Sequence, residues 1–406
     1  MIPRTFDEIG TSDIEALIRN QVRESRDLDY KEALPGNADD EKKEFLRDVI
    51  SLANAGGDLL FGIREARDAA AKTTGLADPG APVGLSFVTN ADAEIRRLDD
   101  IITHGIAPRI AGVRIKAVEG FSDGLVIVVR VPRSWIAPHM LTFKTKSPFL
   151  TRRSGSRIEM DVTDLRAAFL AQAAVGERIE EFRRGRLEMI ASGATGVERR
   201  DSSLLIIHVV PLAATDPLNA IDISKAGREI VPLKPIGAYT YDHRYNFDGF
   251  TSFAKGAADG TLSSYMQVFR SGTIEAVGPA RVPEPQHTTL QVTGMESDVL
   301  EVVYQAIGVQ RRLGIEPPTS VLVALANVEG YRFSSANPWL MDGGNRPIDR
   351  ATLLLPEILF QEVPTDKAEV AVQLRHAFDA LWQAAGFPKC FEYDDRGAWN
   401  PMRQGK

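Results

Sequence analysis

Apolar and polar positions alternate with two different periods along this chain, and the switches between them mark its elements. Ile14, Leu17, Ile18 and Val22 recur at three- and four-residue spacing, which predicts an amphipathic helix over 11–23, capped by Thr11 or Ser12. Leu28 and Tyr30 then alternate with Asp29 and Lys31, the period of a strand that puts Asp29 and Lys31 on one face. Pro35-Gly36-Asn37 breaks that strand. Helical spacing returns over about 41–55 with Phe45, Val49, Leu52 and Ala53, capped by Asp39 or Asp40 and stopped by Gly56-Gly57. Asp58 to Ile63 reads as a buried strand, with Gly62 as a bulge or a point of close approach.

Beyond a Gly- and Pro-rich loop over 66–90, a helix is expected near 91–105. The runs Val113–Val118 and Leu125–Val131 form a hairpin turning at Asp123-Gly124. Val162 to Ile190 is helical, with Gly176 as a break, and Ser192 to Gly196 is a linker. The second half mixes strands (Leu204–Val210, a hairpin over Ser264–Ala276, Ser320–Val328) with helices (Leu300–Leu313, Val370–Ala385) and a polar-aromatic run, Tyr239–Phe250. The fold class is α/β in the broad sense, an α+β arrangement in two domains, 1–192 and 200–406.

Composition narrows the function classes. A chain of 406 residues exceeds what one core usually serves, which agrees with two domains. A net charge of -7 disfavours diffuse nucleic-acid binding over the whole surface and leaves room for a local basic patch. One cysteine, Cys390, cannot form an internal disulfide, so a cytoplasmic setting is expected. No apolar run reaches the roughly 18 residues of a membrane span, and the N-terminus lacks a signal-peptide core. The second half carries no phosphate loop, metal-spaced His/Cys cluster or nucleophile elbow.

Two constellations carry chemistry. Glu24, Asp29 and Glu65 come from different elements and can converge on one hard divalent cation, Mg²⁺ or Mn²⁺, with Lys31 stabilising charge on a phosphate. Their bland alternative is solvation or pairing with Arg23, Arg26 and Arg64. The second is the stretch 130–157, where Arg130, Arg133, Lys144, Lys146, Arg152, Arg153 and Arg157 are interleaved with Trp135, His139, Phe143 and Phe149 and no acid intervenes. Such a run binds nucleic-acid phosphates or forms a solvated face. His104 and His139 lack metal-spaced partners and are structural; Ser154-Gly155-Ser156 is a turn, and Asn54 with Gly56-Gly57 a helix stop.

Glu24-x4-Asp29-x-Lys31, then Leu52-Ala53-Asn54-Ala55-Gly56-Gly57-x3-Phe61-Gly62-Ile63, then Phe149-x2-Arg152-x-Ser154-Gly155-Ser156, resembles the Schlafen-type AlbA domain over about 10–172. The resemblance implies a mixed sheet with flanking helices, and Glu24, Asp29 and Glu65 as catalytic metal ligands. It implies an endoribonuclease acting on structured RNA such as tRNA, in a setting of antiviral defence. The chain departs from the family pattern with Asp at 29, Glu at 65 and Tyr at 30, which moves two carboxylates by a methylene. Two other functions stand beside cleavage: a non-catalytic DNA- or RNA-binding regulator, and a nucleotide-sensing module. The family's two-lobed horseshoe implies that two chains pair, as a homodimer or higher homo-oligomer. The C-terminal domain would then sense a trigger, bind a partner or drive assembly.

Overall fold

In this computed structural model the chain is described except at residues 5, 66–79, 89–90, 145–148, 154–155, 196–202, 217–219, 225–226, 228–232, 257–260, 281–287, 335–344 and 402–406. Its contacts divide it into two units, Met1–Gly176 and Glu177–Lys406. The division falls inside one helix rather than in the Ser192–Gly196 segment.

The N-terminal unit opens with helix α1 (Thr11–Arg19), strand β1 (Leu28–Lys31), helix α2 (Asp39–Ala53) and strand β2 (Gly57–Phe61). β1 and β2 are parallel, so α2 is the crossover of a βαβ unit. Then come β3 (Ile63–Glu65), β4 (Pro82–Leu85), helix α3 (Ala91–Gly105) and β5 (Ile106–Ala107). The unit closes with β6 (Arg114–Val118), β7 (Val126–Val131), β8 (Met140–Leu141), β9 (Leu150–Arg153) and β10 (Ser156–Glu159). The central sheet is mixed, in the order β1-β2-β7-β6.

Alternation sorts the sheet's two faces. Leu28, Tyr30, Leu60 and Val128 pack with Ile14 and Leu17 of α1. Leu59, Phe61, Ile127 and Val129 pack with Phe45, Val49 and Leu52 of α2 and Leu98 and Ile102 of α3. Asp29 and Lys31 share the α2 side of β1, which sets up the site.

Several local expectations are corrected. Neither expected cap is used: the N-cap of α1 is Gly10, whose N–H donates to Asp13 at 3.0 Å, and that of α2 is Ala38, with Asp39, Asp40 and Glu41 filling the first turn. The strand expected over Asp58–Ile63 is broken at Gly62 (φ +97°), and the chain resumes as β3. Within the expected loop over 66–90, β4 pairs with β3; residues 66–79 lie outside the described residues. Gly56 takes φ +75°, and a Cβ on Gly57 would sit 2.8 Å from the Asp27 carbonyl, so the pair is fixed by backbone geometry.

Helix α4 (Val162–Ser192) runs unbroken through Gly176. Asp161 caps it, accepting from Thr163 and Asp164 N–H at 2.7 and 2.8 Å. One interior glycine costs only about 1 kcal/mol, which the helix formers around it absorb.

The C-terminal unit is built on one antiparallel sheet. Its strands are β11 (Leu204–Pro211), β12 (Asp242–Tyr245), β13 (Gly249–Lys255), β14 (Leu262–Phe269) and β15 (Ile274–Pro279), followed by β17 (Thr319–Ala326), β19 (Thr352–Leu354) and β20 (Ile358–Phe360). Their order is β12-β13-β14-β15-β11-β17-β19, with β20 also on β17. A separate parallel pair joins β16 (Thr289–Gln291) to β18 (Arg332–Ser334). Helices α5 (Val292–Arg312) and α6 (Lys367–Ala384) cover the face lined by Ile207, Val209, Val321 and Val323. Ile190 of α4 packs on the opposite face, with Ile206, Tyr265, Val277 and Ala324.

Candidate functional site

The loop before β1 presents the first carboxylate. Glu24 N–H donates to the Gly80 carbonyl at 2.9 Å, and Glu24 Oε1 accepts from Tyr30 N–H at 2.9 Å. These bonds fold the side chain back over β1, where it hydrogen-bonds Asp29. Burial, then the hydrogen bond and negative charge of Asp29, push the Glu24 carboxyl up to about 8. Asp29 moves the other way. Burial alone would raise it, but the hydrogen bond from Glu24 and the charges of Lys31 and Arg152 hold it well below the usual carboxylate range. The two acids thus divide the roles of proton holder and anion.

Lys31, two residues on, donates to Asp29 Oδ1 at 2.8 Å and lies 3.8 Å from Asp48 Oδ2. Arg152 of β9 donates to Asp29 Oδ2 at 2.9 Å, with both side chains buried. Arg157 of β10 pairs with Asp48 Oδ1 at 3.2 Å and with Glu44. Arg152 and Arg157 stand directly opposite each other in the β9–β10 hairpin. Like charges so placed repel, and here each is met by a different carboxylate beneath it. Burial is the main cause that pushes Asp48 up to about 7.

Between these groups lies a cavity of about 480 Å³, lined by Glu24, Asp29, Lys31, Arg47, Asp48, Leu150, Arg152, Arg157, Ile158 and Glu159. Asn54 helps shape its rim, since its side chain donates to the Leu150 carbonyl at 2.9 Å and ties the end of α2 to β9.

The structure brings together Glu24, Asp29, Lys31, Arg152 and Arg157 of the expected site residues. Glu65 is on β3, within electrostatic reach of Glu24 but not on the cavity wall. Arg130 is committed to the interior: it forms a buried two-pronged pair with Asp58 and donates to the Ile2 and Arg4 carbonyls. Arg133 stacks on Trp135, 4.4 Å from the ring centre. Lys144 pairs with Asp39 at 2.9 Å. Lys146 lies outside the described residues, as does the Arg153 side chain. The run without acids in sequence is therefore interleaved with acids in space, from Asp29, Asp39, Glu44, Asp48 and Asp58. His139 is buried between the Pro108 carbonyl at 2.7 Å and Ser134 Oγ at 2.6 Å, a structural role as expected.

The donor set does not match a divalent ion as folded. Both Asp29 oxygens are taken by cations, and among the described residues no group of three His, Cys, Asp or Glu side chains is placed to hold a metal.

Sequence reasoning missed Asp48, Arg47 and Glu159. Asp48 left a signal: it falls three residues after Phe45 and four before Leu52, on the face of α2 that is otherwise apolar. A carboxylate on a buried stripe needs a partner, and Arg157 and Lys31 supply it.

No curated protein matches the chain. Among solved structures, the N-terminal domain of a protein from Nitrosomonas europaea, described as ATP-dependent DNA helicase RecG-related, is 18% identical. That match covers 38% of this chain and 94% of the other, with a TM-score of 0.27. The family model Schlafen, AlbA_2 matches residues 24–161, a span that contains every residue lining the cavity. Over residues 24–161 this chain is thus similar to the Schlafen, AlbA_2 family.

Proposed function

We propose that the N-terminal unit binds RNA with a backbone phosphate seated in the Glu24–Asp29–Lys31 cavity. The observation that carries this reading is the cavity itself, where Lys31, Arg47, Arg152 and Arg157 stand among acids of which two, Glu24 and Asp48, are pushed toward their neutral forms. Four cations face four carboxylates there, a formal balance. Glu24 at about 8 and Asp48 at about 7 shift that balance at and below pH 7, so the cations prevail and an anion is attracted. The cavity volume lies within the range of small-ligand pockets and suits about one nucleotide.

A specific observation favours cleavage as the second step of this reading. Glu24 carries a proton near neutral pH beside an ionised Asp29, and paired acids with separated pKa values suit general acid–base work on a phosphodiester. Lys31 stands where it can offset charge developing on the phosphate. The substrate class would be structured RNA such as tRNA.

Binding and cleavage are tested separately. For binding, labelled tRNA is titrated with the full chain and with Arg47→Ala across a salt series. The variant is expected to bind several-fold more weakly, with a salt slope smaller by about one. Equal affinity and slope would remove the cavity as the phosphate seat. For cleavage, tRNA is incubated with Mn²⁺, Mg²⁺ or EDTA. Fragments from the native chain and none from Glu24→Gln support hydrolysis, and the EDTA lane decides whether a divalent ion is needed. Intact RNA in all three lanes leaves a binding domain.

A further inference from the structure

Helix α5 carries a carboxylate inside the core of the C-terminal unit. Glu296 is fully buried, one turn from the buried Val292 and Val299 on the same face. A glutamate in such a place is almost always paired with a cation. Here its donors are neutral. Oε1 accepts from Trp382 Nε1 of α6 at 2.7 Å and from Cys390 Sγ at 3.3 Å, and Oε2 accepts from Trp399 Nε1 at 2.9 Å. Burial is the main cause that pushes the Glu296 carboxyl up to about 7, against these three bonds and helped by the charge of Glu392.

Two of the three donors belong to one segment. Past α6 the chain turns at Gly386 (φ +91°) and runs back along the helix. Phe387 and Phe391 pack on Trp382, with ring centres 5.3 and 5.5 Å away. Cys390 N–H donates to Asp379 Oδ1 at 2.8 Å, and the Tyr393 hydroxyl donates to the Ala371 carbonyl at 2.5 Å. Thr293 Oγ1 of α5 donates to Glu392 Oε1 at 2.6 Å, and Asn400 N–H closes the segment on the Glu392 carbonyl at 2.7 Å.

We propose that residues 387–400 are a strap latched by the Glu296 carboxyl, closed while that carboxyl holds its proton and loosened when it ionises. The neutral form suits the latch, because its hydroxyl can donate to the Cys390 sulfur while both oxygens still accept from the indoles. The ionised form has no opposite charge to offset its desolvation. The titratable and charged groups around it are Cys390, Glu392 and Tyr393 of the strap and Asp379 and Arg375 of α6. Arg375 is turned to Tyr393, 5.3 Å from its ring centre. Leu290 and Phe333, from β16 and β18, add apolar walls. With the strap open, Glu296 meets water and titrates near its ordinary 4.5. Opening therefore gains up to about tenfold for each pH step between 4.5 and 7 and levels off above that.

Cys390 is the one cysteine of the chain and is 1% exposed, so its reaction with a thiol reagent reports the opening. The labelling rate of the full chain is divided at each pH by that of N-acetylcysteine, which removes the reagent's own preference for thiolate. This ratio is expected to rise by about tenfold or more from pH 5.5 to pH 8. In Glu296→Gln the rise is expected to shrink to a few-fold, the share left to Glu392. Low urea is expected to change the rate little, because a local opening exposes little surface. Trp399→Phe removes a donor that the ionised form needs more than the neutral one, and is expected to speed labelling more at pH 8 than at pH 5.5. It carries the test should circular dichroism show Glu296→Gln unfolded. A ratio that stays constant with pH, a full rise retained in Glu296→Gln, an equal effect of Trp399→Phe at both pH values, or a steep dependence on urea would each overturn the proposal.

Discussion

Glu24 and Arg152 show how much of the site is decided by single side chains. The folded pKa of Glu24, about 8, lies above the ordinary 4.5, so its neutral form is favoured by folding. A raised carboxyl contributes its stability in full below about 4.5 and loses it as pH rises through about 8. Asp48, raised to about 7, has the same sign. Glu24→Gln, a permanently neutral copy, is therefore expected to lose less stability than the native chain between pH 6 and pH 9, measured as the urea midpoint at the two pH values. An equal loss in both chains would show that Glu24 is ionised across that range. Arg152 acts by pairing. Arg152→Ala takes one of two cations from buried Asp29, leaving Lys31 and the hydrogen bond from Glu24, and is expected to cost about 3 kcal/mol in denaturant unfolding. In sequence Arg152 reads as a phosphate contact, because its acidic partner lies far off in the chain and comes from another element. The same distance hid Asp58 from Arg130. Short-range charge counts describe a segment, whereas burial and pairing are fixed by contacts between strands.

Helix α4 presents the same problem for a whole element. Besides the packing of Ile190, it has a polar anchor in the C-terminal unit: Arg186 grips Glu275 with two bonds at 2.7 and 2.8 Å, and Glu275 also accepts from Tyr265 at 2.7 Å and meets His208 Nε2 at 2.9 Å. Burial would raise Glu275, but the bonds to Arg186 and His208 prevail and bring it down to about 2. A lowered carboxyl contributes stability above about 4.5 and loses it as pH falls through about 2. Arg186→Ala should thus cost about 3–5 kcal/mol at pH 7 and move acid unfolding of this unit to higher pH, followed by circular dichroism. Unchanged acid unfolding would mean that His208 and Tyr265 hold Glu275 without the arginine. Most strands and helices were legible in sequence, because the apolar pattern reports burial directly: β1 and the hairpin of β14 and β15 fall where alternation puts them, and β7 and β11 where continuous apolar runs do. The unbroken course of α4 was not, since Gly176 is a breaker only where nothing else holds the turn. The pairing of β4 with β3 was not either, because four residues carry too little pattern to mark a strand.

At the scale of the whole molecule, the proposed phosphate seat predicts how binding depends on the length of the RNA. A cavity of about 480 Å³ takes about one nucleotide, so a tRNA would make the rest of its contacts elsewhere. Arg47→Ala removes one cation from the cavity wall and is expected to weaken a short oligonucleotide and full-length tRNA by a similar factor, because both lose the same phosphate contact. Fluorescence anisotropy with the two ligands at one salt concentration measures this. Loss for tRNA alone would place Arg47 on a surface outside the seat, and no loss for either would remove the cavity as the place where the phosphate sits.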